Sequence, residues 1–171
     1  KEITNSNTTL RGVTFSADGK RLLTGTGQSH GNVAQVWEAE TGKLLNTYET
    51  KAFFPSWSPD ETKILYPKYR GNISAVFDIP SGTLKTFESE EIGRMTEFAT
   101  FDRTGKRFLS ISEDQKFNIW NVDSGKLEFY LQHNQISSGF TGAVGVFTPD
   151  NQKIITVARD LFIRLWSAKD G

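Results

Sequence analysis

The property that most constrains this chain is that it repeats itself. Gly42, Gly82, Gly125 and Gly171 stand in similar turn contexts, 40, 43 and 46 residues apart. Five residues before each is an aromatic, Trp37, Phe77, Trp120 and Trp166, with the same three spacings. A second aromatic register runs through Phe15, Trp57, Phe101 and Phe147. A period in this range marks an array of supersecondary units, none of which can bury its apolar surface alone. Four units, approximately 1–42, 43–82, 83–125 and 126–171, cover the chain as one domain.

Each unit runs through the same events. A short apolar stretch carries the second-register aromatic ("GVTFS", "PSWS", "ATFD", "GVFT"), and a polar turn follows ("ADGK", "PDETK", "RTGK", "PDNQK"). Then come "RLLTG", "KILYP", "RFLSI" and "KIITVA", rich in the β-branched and aromatic residues that suit strands. After another loop, "NVAQVWEAE", "NISAVFDIP", "FNIWNVD" and "FIRLWSAK" lead into the Gly turn. The stretches after that turn, "KLLNTYE", "TLKTFES" and "KLEFYLQ", complete four short strands per unit. Helical periodicity is not sustained anywhere, so the chain is expected to be all-β. Sheets of this size shield both faces by stacking around an axis, which leaves the outermost strand the most polar. In "KLLNTYE" apolar and polar residues interleave, and the strand after each Gly turn is expected to be the outermost.

Composition narrows the function classes. With 171 residues, 36% hydrophobic and 23% charged, the chain can bury a core. Twenty basic residues balance twenty acidic ones, so no overall field favours nucleic acid or an anionic membrane, and no nucleic-acid partner is expected. The absence of cysteine removes disulfides and thiolate metal sites. No apolar run approaches a membrane span.

The order F-S-x-D-G-K, an apolar strand, D-x-x-[IV]-[RK]-[LI]-W and x-x-G-K resembles WD40 repeats, here in "FSADGKRLLTG", "EDQKFNIWNVDSGK" and "RDLFIRLWSAKDG". The resemblance covers all 171 residues. It implies β-propeller blades of four antiparallel strands, four in number, as a half-propeller or a segment of a ring of about seven or eight blades. Six residues before the Trp the family carries an Asp, matched by Asp114 and Asp160, whereas the first two units have Gly31 and Gly71 there. His133 in "YLQHN" is the remnant of the family's Gly-His pair, and Asp114, Asp160 and His133 are read as structural, holding turns by hydrogen bonds. The second unit is also similar to the repeats of TolB-like propellers. The resemblance leans towards a cytoplasmic setting. Read head to tail, "SAKDG" and "KEI" spell a phrase like "NVDSGKLE", so the N-terminal segment is expected to supply the outer strand of the last blade. An open half-ring exposes two apolar sheet faces, so either self-association to a dimer or the missing blades of a longer chain are expected to cover them.

Catalytic signals are weak. "GQSHG" matches G-x-S-x-G around Ser29, but that motif works at a strand-to-helix elbow, and here it lies between strands. His30 and His133 are too few and too far apart in the repeat for a metal cluster. Glu88, Glu90 and Glu91 read as a solvated acidic loop, and the sequons at Asn7 and Asn72 matter only in a secreted chain. No enzyme activity, cofactor or metal is therefore expected. Binding of a protein or peptide remains, on the rim formed by inter-blade segments and by the loops between second and third strands. Those segments, "ETKAFFPS", "ESEEIGRMTEF" and "QHNQISSGFTGAV", lengthen along the chain. The candidate contact residues are Phe53, Phe54, Tyr69, Arg70, Arg94, Met95, Phe140 and Arg159, of types enriched in interface cores. This makes a noncatalytic scaffold or sensor the expected function. The alternative is an accessory or gating segment of an enzyme whose catalytic part lies elsewhere.

Overall fold

The computed structural model describes residues 9–27, 33–50, 54–67, 73–88, 96–112, 116–133, 142–158, 160 and 162–171. Among these residues every regular element is a strand. The first sheet contains β1 (Thr9–Phe15), β2 (Arg21–Gly27), β3 (Ala34–Glu38) and β4 (Leu44–Tyr48) in sequential order. The second contains β5 (Ser56–Trp57), β6 (Lys63–Pro67), β7 (Ile73–Asp78) and β8 (Thr83–Glu88). The third contains β9 (Thr96–Phe101), β10 (Arg107–Ser112), β11 (Lys116–Asn121) and β12 (Leu127–Gln132). The fourth holds β13 (Val144–Phe147), β14 (Lys153–Val157) and β15 (Ile163–Ser167), three strands among the described residues. All pairings are antiparallel between sequence neighbours, which is the pattern of propeller blades. Lys1 to Ile3, expected as an outer strand, lie outside the described residues.

The turn between the first two strands of each blade folds for a local reason. In blade one the Ser16 hydroxyl bonds Asp18 at 2.6 Å and accepts from the Arg21 N–H at 2.9 Å, closing the loop on itself. Ser58 with Asp60, and Thr148 with Asp150, repeat this in blades two and four. The last position of each turn is left-handed: Gly19 (φ 71), Glu61 (φ 57), Gly105 (φ 69) and Asn151 (φ 57). Two of the four therefore carry a side chain where glycine is easiest, and each accepts from the turn of the preceding blade: Glu61 from the Ala17 N–H at 2.7 Å and Asn151 from the Arg103 N–H at 3.0 Å. Between blades two and three Pro59 has no N–H to donate, and it faces Gly105, where a Cβ would lie 3.4 Å from Pro59 Cδ.

Each strand's period-two alternation divides a blade into two faces. The face that carries the Trp-register aromatic packs against the preceding blade; it is called the leading face here. The other, trailing, face packs against the following blade. Leu23, Ala34 and Val36 of blade one meet Ile64, Tyr66 and Ala75 of blade two. Leu65, Val76 and Phe87 of blade two meet Phe101, Phe108 and Trp120 of blade three. Blade three contributes Leu109, Phe117 and Ile119 to the last seam, where blade four contributes Ile154 with Trp166 packed against it. In the middle seam Phe87 sits edge-on to Phe108 at 4.8 Å, and Phe108 stacks on Trp120 at 6.2 Å between ring centroids.

The strands after the Gly turns are outermost, but their burial does not alternate. In β4 both Leu44 and Leu45 are 42% exposed, and in β8 and β12 only Phe87 and Leu131 are buried. An outer strand has a neighbour on one side only, so one anchoring side chain near the end of the strand replaces a continuous apolar face.

Candidate functional site

Sequential strand order puts two different sets of connections on the two edges of the array. One edge carries the short, self-bonded turns. The opposite edge, the rim, carries the loops from second to third strands and the connections between blades. The inter-blade connections span 49–55, 89–95 and 133–143. Only the last is longer. The progressive lengthening expected from sequence is absent because β9 begins at Thr96 and takes up residues that had been counted as loop.

At the long connection the rim is held by a chain of polar contacts. His133, 1% exposed, follows β12 directly and places Nδ1 3.0 Å from both carboxylate oxygens of Asp160, in the β14–β15 loop. Its Nε2 lies 2.6 Å from Thr156 Oγ1 on β14, and the Trp166 indole N–H on β15 donates to the same oxygen at 2.7 Å. A proton on Nδ1 lets the imidazole donate to Asp160 and accept from the Thr156 hydroxyl, which accepts from the indole. Arg164 pairs with Oδ2 of Asp160, one of the two oxygens that His133 faces, and the Phe162 N–H donates to Oδ1 at 3.2 Å. Burial by itself raises the Asp160 pKa. The hydrogen bonds from His133, Arg164 and Phe162 outweigh it and hold the carboxyl down at about 2. The long connection is thus fastened to the loop beside it by a charge-assisted bond at a buried site. Asp160, read from sequence as holding its turn by hydrogen bonds, accepts from the Phe162 N–H of that loop and also meets the side chains of His133 and Arg164.

The chain of contacts is shorter in the other blades. Trp120 donates to Ser110 at 3.0 Å and Trp37 to Thr24 at 2.9 Å, which reproduces the indole–hydroxyl link. In the strand register Tyr66 occupies the Thr156 position and Phe77 the Trp166 position. Thr50, 3% exposed, stands in the same repeat position after Gly42 as His133 does after Gly125. Blade two thus has no indole or imidazole at these two positions, and the Tyr66 hydroxyl is buried without a partner among the described residues. Burial pushes that phenol up to about 12.

Of the expected contact residues, Phe54 is described: it is 44% exposed on the first inter-blade connection, next to the buried Pro55. Phe53, Tyr69, Arg70, Arg94, Met95, Phe140 and Arg159 lie outside the described residues, as do Asp114, Ser29 and His30. No group of three or more His, Asp or Glu able to hold a metal occurs among the described residues. No helix among them is long and apolar enough to cross a membrane. Thr156 and Arg164 escaped the sequence reading; Thr156 is legible only once its register against Trp166 is known.

No family model matches the chain. It is 27% identical over 162 residues to the WD repeat-containing protein WDS homolog of Arabidopsis thaliana, covering 90% of this chain and 29% of that protein. It is 25% identical over 134 residues to cilia- and flagella-associated protein 52 of Chlamydomonas reinhardtii, covering 77% of this chain and 21% of that protein. The chain spans less than a third of the length of either relative. By its sequential antiparallel sheets the chain is a run of β-propeller blades, and in sequence it is similar to a WD repeat-containing protein over most of its length.

Proposed function

We propose that this chain is a noncatalytic scaffold or sensor segment whose rim binds a protein or peptide. The observation that supports this reading is the difference between the two edges. On one edge the turns consume their own polar groups. On the rim, Phe54 stands exposed on a connection anchored by buried Thr50 and Pro55, and the longest connection is fastened through His133 to Asp160. Anchored, unequal loops on a repetitive frame give a recognition surface its rigidity and its individuality. Tyr69, Arg70, Arg94, Met95, Phe53, Phe140 and Arg159 complete this proposed surface by their positions in the same connections. Nucleic acid has no part in the proposal, since 20 basic residues are balanced by 20 acidic ones.

The test is selection of a displayed library of random linear peptides on the immobilised chain. Enriched peptides are then measured against a variant combining Phe54→Ala, Tyr69→Ala, Arg70→Ala and Arg94→Ala, and against Lys126→Glu on the opposite edge. A loss of about tenfold or more with the rim variant alone supports the reading. Equal binding to both variants, or no enrichment on the wild-type chain, overturns it.

A further inference from the structure

At the turn edge the seams between neighbouring blades take two forms. Between blades one and two the Glu61 carboxylate is shared: Oε1 accepts from the Ala17 N–H at 2.7 Å, and Oε2 pairs with Arg21, the first residue of β2. The Arg21 guanidinium also lies over the Trp57 ring, 5.6 Å from its centroid. Between blades three and four the same contacts recur with different side chains. The Arg103 N–H donates to Asn151 Oδ1 at 3.0 Å, and Arg107, the first residue of β10, lies over the Phe147 ring at 5.6 Å.

Each of these parts is exchanged in the middle seam. Pro59 stands at the donor position without an N–H, Gly105 at the acceptor position without a side chain, and Lys63 at the arginine position. A Cβ on Gly105 would lie 3.4 Å from Pro59 Cδ, so the proline ring takes the place where an N–H would meet an acceptor. Lys63 pairs with Asp78 of its own blade at 3.8 Å. Lys85, from β8, crosses this seam instead and donates to the carbonyls of Val122 and Asp123 at 2.8 and 2.6 Å.

The turn sequences divide in the same way. Blades one and three read ADGKR and RTGKR, whereas blades two and four read PDETK and PDNQK. Burial explains why the two forms do not mix. The Glu61 side chain is 13% exposed, so its carboxylate relies on the N–H and the guanidinium of blade one more than on water. A proline in front of such an acceptor would replace a donor by ring methylenes and leave the oxygen short of a partner.

We infer that these turn positions form a compatibility key, which decides which blade can sit behind which. A blade whose turn ends on an acceptor side chain selects a preceding blade with a free N–H. A blade whose turn ends on glycine accepts a preceding proline. The key lies on the edge opposite the rim and is independent of what the rim binds.

Two double-mutant cycles test it, read by urea unfolding of the protein with circular dichroism. The first takes Pro59→Ala, Gly105→Asn and the two together, which converts the middle seam to the donor–acceptor form. The second takes Arg103→Pro, Asn151→Gly and the two together, which converts the last seam to the proline–glycine form. Each introduced residue already stands at the equivalent position of another turn, so the turn conformations are retained. Effects confined to one turn, including loss of the Arg103 side chain, cancel in the cycle and leave only what passes across the seam. In both cycles the double variant is expected to exceed the sum of its single variants by about fivefold in the folding equilibrium constant. A double variant that folds where one of its single variants does not also supports the key. Coupling below about twofold in either cycle, or a double variant that does not fold, overturns it.

Discussion

Thr156→Val isolates the polar chain at the rim, because valine keeps the shape and β-branching of threonine and removes one oxygen. That oxygen receives the Trp166 indole N–H at 2.7 Å and contacts His133 Nε2 at 2.6 Å. Losing two hydrogen bonds at about 1 kcal/mol each, and leaving a fully buried imidazole nitrogen without a partner, costs about 2–4 kcal/mol. For a domain of this size the melting temperature falls by about 4–16 °C. Blade two supplies the control. Tyr66→Phe removes a buried hydroxyl that has no partner among the described residues, and is expected to be neutral or stabilising by up to about 1 kcal/mol. Urea unfolding of wild type, Thr156→Val and Tyr66→Phe, followed by far-ultraviolet circular dichroism, compares the three midpoints directly. If the two variants lie within about 0.5 kcal/mol of each other, the reasoning that separates a bonded from an unbonded buried oxygen is refuted.

Three further expectations rest on other contacts. The folded Asp160 carboxyl is depressed to about 2, below the ordinary carboxylate value, so its contribution to stability is present above about pH 4 and is lost as pH falls through about 2. Asp160→Asn should remove that part of the acid dependence, and urea midpoints at pH 5, 4 and 3 for the two proteins measure it. A Cβ on Gly145 would lie 3.0 Å from Phe117 and 3.1 Å from Leu109, so Gly145→Val should destabilise by roughly 1–3 kcal/mol through overpacking, visible in thermal melts. Lys85→Met keeps the aliphatic stem and deletes the donors to Val122 and Asp123, and should cost about 0.5–1.5 kcal/mol by urea denaturation.

The repeat registers made the blades legible because strand position, turn and aromatic recur together, and no helical pattern competes with them. The leading and trailing faces were legible only in outline. Period-two alternation says that Leu109 and Phe108 point opposite ways, but which of them meets the preceding blade depends on the stacking. The matching of Ala17 with Glu61 and of Pro59 with Gly105 was written in the turn sequences, yet it joins residues more than 40 positions apart and needs the seam to be seen. The polar chain was half legible. Asp160 and His133 stood out by type, whereas Thr156 is one hydroxyl among many until β14 is set in register with β15. The contact surface was the least legible part, since recognition loops carry no periodicity to read.

Strands that pair only with their sequence neighbours also decide how the chain can be made. Every ladder from β1 to β15 is closed by a hairpin or by a loop within one blade. The entropy of bringing strands together is therefore small, and each blade can form its ladders before the next has been synthesised. The seams come later, because each needs two finished faces. A nascent chain accordingly gains stability blade by blade, and its last exposed face is always the one awaiting the next addition.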